Sequence, residues 1–459
     1  MEVLKFGGTS VSSKRSLENM LQIIKGYDLE ESPLIIVVSA LKGITNELVN
    51  LINLLIKHDE EYKLTLEIIK NKHYDFIDTL FDNEPVDLLN DIEYTYKNLI
   101  DVTSEIYASK EVQNKDHDSL LSFGELFSAR IITAYLQDNG LGFLFKDARS
   151  LILTDDTHRS AKVNWELTKE AVTSFFHKNK ESYVITGFIA SSIYGDTTTL
   201  GRGGSDYTAT ILGTLLKAEK VTKWTDVNGI MTADPNKVSK ANSLSNITYD
   251  ELKSLSKFGA NVLVHPESID ELSKHNIPFL IRNTFNCEFT GTQVINQYFS
   301  PQKALSLHQS CSLVSFEKEW SLPKELIKEI LDKNYLFFRM KTPSSNERSY
   351  YVVADECVNF FDKDTCKNES SLPLLSSVKN IEIVKRNIAL ITITSQSMDK
   401  KQELGRIKTL LNTNGISILG SRLFFNSISL IFEKGNFQEV LTLLHEELSE
   451  AILEDGLIL

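Results

Sequence analysis

Two glycine-rich stretches carry the residues best suited to chemistry on an anion. The first is Val3-Leu-Lys-Phe-Gly-Gly-Thr-Ser-Val11, a short apolar strand bearing Lys5 that runs into Gly7-Gly8 and a Thr9/Ser10 cap. Apolar residues then recur at Leu17, Met20, Leu21 and Ile24 with Gly26 behind them, the spacing of a helix and its stop. Strand, glycine turn and helix N-terminus together aim backbone N–H groups and a positive dipole end at phosphate oxygens, with Lys5 close enough to neutralise them. The stretch is neither a Walker A loop nor a G-x-G-x-x-G turn. A lone Gly-Gly is usually an ordinary strand-to-helix turn. The second stretch, Thr199-Leu-Gly-Arg-Gly-Gly-Ser-Asp-Tyr-Thr-Ala209, sets three glycines, Arg202, Ser205 and Asp206 ahead of an apolar helical pattern. Arg202 offers a two-pronged donor for a carboxylate; the bland alternative is a surface turn with a Ser/Asp helix cap.

A third stretch is Val221-Thr-Lys-Trp-Thr-Asp-Val-Asn-Gly-Ile-Met-Thr-Ala-Asp-Pro235, a strand ending at Thr225-Asp226 with a turn at Asn228-Gly229. Ligands of α/β sheets sit at the carboxyl ends of strands, which puts Thr225 and Asp226 where a nucleotide is read. By spacing alone the stretch is only a loop.

These residues must be held by something. Residues 1–40 read as strand, helix, strand, the alternation of a parallel sheet with helices on its faces. Long helical patterns fill 46–137, and strand-like runs return at Phe143–Phe145, Tyr183–Ile189, Lys220–Thr225 and Pro278–Ile281. The last third changes character. Cys311–Phe316, a helix over Pro323–Lys333, Tyr335–Met340 and Tyr350–Val353 read as one β-α-β-β cycle. Ile381–Val384, Ile388–Thr394, a helix through Lys401–Asn412, Ser417–Leu423, Ser427–Phe432 and Phe437–Leu448 read as a second. Two short α/β repeats of this kind fit small sheets that bind metabolites or self-associate.

At 459 residues the chain exceeds one hydrophobic core and divides into two to four domains. A net charge of −13 argues against a general binder of nucleic acid backbones. The four cysteines, Cys287, Cys311, Cys357 and Cys366, lack metal-ligand spacing and fit reduced thiols of a cytoplasmic protein. The longest apolar runs, such as Leu34–Val38, are strand-length, so no membrane partner is expected. Because the first residues already form the Lys5 strand, no leading signal segment is expected either.

Taken together, the motifs resemble the aspartate kinases of the amino-acid kinase family. The resemblance rests on Lys5-Phe-Gly-Gly-Thr-Ser-Val11, Val38-Ser-Ala40 with Gly43-Ile-Thr-Asn46, and Ser122-Phe-Gly-Glu125. It continues through Gly187-Phe-Ile189, Thr197–Tyr207 and Trp224-Thr-Asp-Val-Asn-Gly229, in the family's order over residues 3–296. It implies an α/β, three-layer kinase fold with a mainly parallel sheet over 1–296. Two ferredoxin-like ACT units would follow at 300–380 and 381–459, either separate or interleaved. It also implies ATP and Mg²⁺, L-aspartate as phosphoryl acceptor, an amino-acid effector at the ACT units, and a homodimer or larger homo-oligomer.

Roles follow from the same resemblance. Lys5 would neutralise the transferred phosphoryl group, and Asp206 would orient Lys5 or the phosphates. Gly7, Gly8 and Gly204 would bring N–H groups to phosphate oxygens, with Thr225, Asp226 and Met231 on the nucleotide. Ser39, Thr45 and Ser205 would hold aspartate, Arg202 its α-carboxylate and Glu125 its ammonium. The chain departs from the family near the nucleotide: Met231 replaces a Tyr, Asn236 an Arg, and Phe258-Gly-Ala-Asn261 ends where the family has Lys. Two phosphate-side cations are thus missing, with Lys237 and Arg282 as nearby substitutes. Rival readings are a carboxylate kinase for another aspartate-like substrate and a non-catalytic amino-acid sensor.

Overall fold

The fold is that of a computed structural model describing residues 1–259, 264, 266–297, 303–317, 336–341, 348–355, 358 and 382–455. The expected helix over Pro323–Lys333, together with Asn261, Cys357 and Cys366, lies outside these residues. The chain divides into two compact units, one of residues 1–230 and 264–296, the other of 231–263 and 297–459. The stretch 231–263, which sequence continuity assigns to the kinase segment, therefore groups with the C-terminal unit.

The first unit contains strands β1 (Glu2–Phe6), β2 (Leu34–Val38), β3 (Phe143–Lys146), β4 (Leu153–Thr154), β5 (Ser182–Thr186), β6 (Ile189–Ser192), β7 (Thr197–Thr199), β8 (Val221–Thr225), β10 (Phe279–Asn283) and β11 (Thr292–Ile295). Its helices are α1 (Lys14–Ile24), α2 (Ile44–Ile56), α3 (Tyr62–Leu80), α4 (Val86–Ser109), α5 (Asn114–Asp138), α6 (Trp165–Lys178), α7 (Gly204–Leu215) and α9 (Pro266–His275). Within this unit the main sheet runs β3-β5-β2-β1-β8-β10-β11, parallel except for β11. A small sheet, β4-β6-β7, stands apart from it.

Strand alternation sorts the main sheet's two faces. Leu4, Phe6, Leu34, Ile36 and Val38 turn to one side and join a core with α1 to α5. Val3, Lys5, Ile35 and Val37 turn to the other, where α7 packs on β1, β2 and β8 and α9 packs on α7. Both faces are covered, so β2 is apolar throughout rather than alternating. Each fully buried Ile or Leu contributes roughly 1.5–3 kcal/mol relative to exposure. Lys5 is the buried polar exception in β1. A buried lysine there is tolerable only with a partner.

The second unit contains β9 (Asn246–Thr248), α8 (Tyr249–Phe258), β12 (Ala304–Glu317), β13 (Phe337–Met340), β14 (Arg348–Ala354), β15 (Glu382–Thr394), α10 (Lys400–Thr413), β16 (Gly420–Leu423), β17 (Ser427–Glu433) and α11 (Phe437–Asp455). The two β-α-β-β cycles share one antiparallel sheet, ordered β13-β14-β12-β15-β17-β16. The runs Ile381–Val384 and Ile388–Thr394, which the sequence pattern separates, fall from Glu382 onward in one strand. It pairs with β12 through register shifts between His308 and Val314. The end strands also meet, the Ser421 N–H donating to the Lys341 carbonyl at 3.1 Å. Glu251 closes a capping box with Thr248 at the start of α8 and accepts the Gln396 N–H at 2.9 Å. Cys287 and Cys311 are free thiols.

Candidate active site

Lys5 and Asp206 meet in the first unit. The Lys5 ammonium lies 2.7 Å from Asp206 Oδ1, and both side chains are buried. Asp206 occupies the first turn of α7, where the helix dipole favours its negative charge. The helix can begin there because Gly203 takes a left-handed φ of 74°. Gly204 follows against Phe188, which leaves 2.7 Å for a Cβ, too little for any other residue.

Asp206 has a second partner that the glycine motifs do not single out. The Lys223 ammonium lies 2.7 Å from Oδ2. Lys5 and Lys223 are register partners on neighbouring strands β1 and β8, so both project from the face that α7 covers. Burial works against ionising Asp206, but the ammoniums of Lys223 and Lys5 prevail and hold its carboxyl at about 2. Burial pulls the Lys5 pKa below the usual lysine range; Asp206 opposes this and the Lys223 charge adds to it.

The glycine turn after β1 is as tight as expected. A Cβ on Gly8 would come within 2.9 Å of the Ala40 carbonyl oxygen, and one on Gly7 within 3.7 Å of Lys5 Nζ. The Ser39 N–H donates to Phe6 O at 3.3 Å, which joins the ends of β1 and β2. Ser39 O in turn accepts from the Ser128 hydroxyl at 2.8 Å. Thr45 is exposed in the first turn of α2, and Gly43 precedes that helix with φ 87°.

Glu125 projects from α5 and is buried, with Oε1 accepting the Ala40 N–H at 3.2 Å. Burial pushes its carboxyl up to about 8, against that hydrogen bond and the distant pull of Lys5. Ser205 is buried against Gly187, where a Cβ would come within 2.6 Å of the Ser205 Cβ. Arg202 is exposed and makes no ion pair among the described residues; left-handed glycines, Gly201 (φ 76°) and Gly203, flank it. Asp118 is a further residue that no motif marks. It is fully buried two helical turns before Glu125 on α5 and ties down the segments that precede Arg202.

On the nucleotide side the outcome is mixed. Thr225 and Asp226 close β8, with Thr225 Oγ1 donating to Asp226 Oδ1 at 3.2 Å. Met231 falls in the second unit, bridged to Ser243. The two substitute cations are engaged elsewhere. Lys237 pairs with Asp234 at 3.2 Å in the second unit. Arg282 donates to the Cys287 carbonyl at 2.6 Å and lies over the Trp224 ring at 4.7 Å, which makes it a strut for its own loop.

A sheet whose glycine turn opens beside a buried lysine–aspartate–lysine bridge suits the handling of a phosphoryl group. The chain belongs to the amino acid kinase family, whose model matches residues 1–283. Its relatives include aspartokinases. It is 35% identical over 323 residues to the aspartokinase of Chlamydia pneumoniae, covering 69% of this chain and 68% of that one. It is 31% identical over 412 residues to the lysine-sensitive aspartokinase 3 of Escherichia coli, covering 88% of this chain and 89% of that one. The structure resembles E. coli aspartokinase III in complex with aspartate and ADP, with a TM-score of 0.80 at 25% identity over 97% of this chain and 99% of that one. It also matches plant bifunctional aspartokinase/homoserine dehydrogenases such as that of Daucus carota, of which it spans about a third (32%).

Proposed function

We propose that this chain is an aspartate kinase, transferring the γ-phosphoryl group of MgATP to the side-chain carboxylate of L-aspartate. The products are ADP and 4-phospho-L-aspartate, the entry to lysine, threonine and methionine synthesis. The observation that carries this reading is the buried Lys5–Asp206 pair beside the Gly7-Gly8 turn.

A carboxylate oxygen of aspartate attacks the γ-phosphorus while the bond to the bridging oxygen of ADP breaks. The nucleophile is already an anion, so no general base is needed, and catalysis reduces to positioning and charge cancellation. Lys5 stabilises the transferred group and Asp206 fixes Lys5. Gly7, Gly8 and Gly204 admit phosphate oxygens to backbone N–H groups, and Thr225 and Asp226 hold the nucleotide. Arg202 takes the α-carboxylate of aspartate and Glu125 its ammonium, while Ser39, Thr45 and Ser205 hold the reacting end. The magnesium ion enters with the MgATP substrate, coordinated chiefly by its phosphates.

We assign the kinase domain to residues 1–296 and paired ACT units to 300–380 and 381–459, interleaved through β12 and β15. The lysine-sensitive relative supports lysine as the effector of those units. Dimerisation falls to the helix faces of the second unit, since its end strands already engage each other; sedimentation of the full chain reads it. No described helix is long and apolar enough to cross a membrane.

Hydroxamate trapping with MgATP and a panel of amino acids tests the reading. Aspartate should give acyl phosphate, and Lys5→Ala should lower kcat by about a hundredfold or more, with the fold intact. Trapping with another acid alone would change the substrate. Trapping with none would leave a sensor.

A further inference from the structure

We infer that Lys223 is a second phosphoryl-binding cation, acting with Lys5 on either side of Asp206. The inference rests on the aspartate kinase reading and deepens it.

Geometry comes first. Neighbouring parallel strands lie about 4.8 Å apart, and Lys5 and Lys223 are register partners on β1 and β8. Their side chains leave the same face and converge on one carboxylate, Lys5 on Oδ1 and Lys223 on Oδ2, each at 2.7 Å. Asp206 thereby spaces the two ammoniums, and Lys5 Nζ lies beside Gly7, within 3.7 Å of where a Cβ would stand.

Charge comes second. One carboxylate cancels one ammonium, so the trio keeps one net positive charge. Its side chains are only 7–16% exposed, which makes an uncompensated charge costly. Glu125 does not supply the missing negative charge, because burial raises its carboxyl to about 8 and keeps it mostly protonated at neutral pH. Counted over Lys5, Lys223, Asp206 and Glu125 alone, the described side chains carry one more positive than negative charge near neutral pH. The γ-phosphoryl group, arriving at the adjacent glycine turn, is an anion of the right kind and place.

A lysine that merely braced Asp206 would need no such surplus, since Lys5 alone neutralises that carboxylate. The position also answers the cation deficit in the sequence. Asn236 and Asn261 stand where the family resemblance calls for cations, and Arg282 and Lys237 are held by other partners. A lysine entering from β8 reaches the phosphoryl group from the sheet instead of from a loop.

The test compares Lys223→Met, Lys223→Gln and Lys223→Arg with the parent in the full chain. Steady-state kinetics are combined with binding of Mg·ADP alone and of Mg·ADP with aluminium fluoride and aspartate, a mimic of the group in transfer. Loss of the cation should lower kcat at least about 30-fold while KM for aspartate stays within about threefold. The tightening of ADP by aluminium fluoride should fall about tenfold or more, with binding of ADP alone nearly unchanged. The Arg variant should keep part of both. The alkaline limb of kcat should also move to higher pH in the Met and Gln variants, because a repelling charge beside Lys5 has gone.

A kcat within about threefold of the parent would overturn the inference. So would equal weakening of ADP and of the ADP–fluoride complex, the mark of a purely structural role. Circular dichroism checks folding, and the Gln and Arg variants carry the test if Met does not fold. Should the parent phosphorylate no amino acid, the aspartate kinase reading falls, yet fluoride-dependent ADP binding still reports on Lys223.

Discussion

The carboxylate of Asp118 binds Thr199 twice, taking its hydroxyl on Oδ1 at 2.7 Å and its backbone N–H on Oδ2 at 3.2 Å. The same Oδ2 accepts the Arg159 N–H at 2.8 Å, so one buried side chain clamps two segments beside Arg202. Asp118→Ala strands those donors at about 1–3 kcal/mol each and loosens the Arg202 loop. KM for aspartate should rise about tenfold with KM for ATP nearly constant. Steady-state kinetics in both substrates decide; a rise confined to ATP would move this loop to the nucleotide.

Glu125 gives the protein a pH dependence of definite sign. Its folded carboxyl titrates at about 8, whereas an unfolded glutamate titrates near 4.3. Between those values the native state holds a proton that the unfolded state has lost. Stability is therefore full below the lower value and falls as pH rises toward about 8. Thermal melts of the ligand-free protein across that window should show the decline, and Glu125→Gln should flatten it. Aspartate binding near neutral pH should release a proton, and calorimetry in buffers of different ionisation enthalpy would count it.

Gly8→Ala should abolish most activity, because the added Cβ would lie 2.9 Å from the backbone oxygen of Ala40, which cannot step aside. A kcat loss on the order of a hundredfold is expected from misplacing the phosphate turn. Gly142→Ala, with nothing within 4 Å of the new methyl, should leave kcat alone. Equal behaviour of the two variants would remove the turn from the mechanism.

Arg202→Ala should raise KM for aspartate while thermal stability changes little, since the guanidinium is exposed and makes no ion pair among the described residues. The unpaired α-carboxylate costs about 1.5–3 kcal/mol, roughly 10- to 150-fold in kcat/KM. Arg202→Lys should recover only part, because a point charge does not reproduce a planar fork. A drop in melting temperature as large as the kinetic loss would argue for a structural arginine.

Much of this site is legible in the amino-acid sequence. Lys5 and Asp206 are 201 residues apart, yet each follows from a glycine stretch whose local chemistry is explicit. Lys223 is harder to pick out, because a single lysine in an apolar run usually marks a half-exposed strand. The clue is a repeated phrase: Val3-Leu-Lys-Phe6 and Val221-Thr-Lys-Trp224 share one pattern, and Phe6 and Trp224 stack 6.0 Å apart. Two strands alike in pattern and adjacent in register present alike residues on one face. For Arg282 the sequence shows a charge but not the Cys287 and Phe289 carbonyls to which it donates. Chain continuity assigns 231–263 to the kinase segment, and only tertiary packing groups that stretch with strands made much later.

That grouping sets a timetable for synthesis. Thr232 Oγ1 and His445 Nε2 lie 2.9 Å apart in the second unit but 213 residues apart along the chain. At about 5–20 residues per second, a ribosome needs about 10–40 s to supply the later partner. Through that interval residues 231–263 have been made, but the strands and helix that cover them have not. Most of the first unit's strands have emerged by then, while the second unit cannot close until α11 appears. A nascent chain of this protein thus carries an unfinished apolar surface near its middle, and a chaperone has tens of seconds to find it.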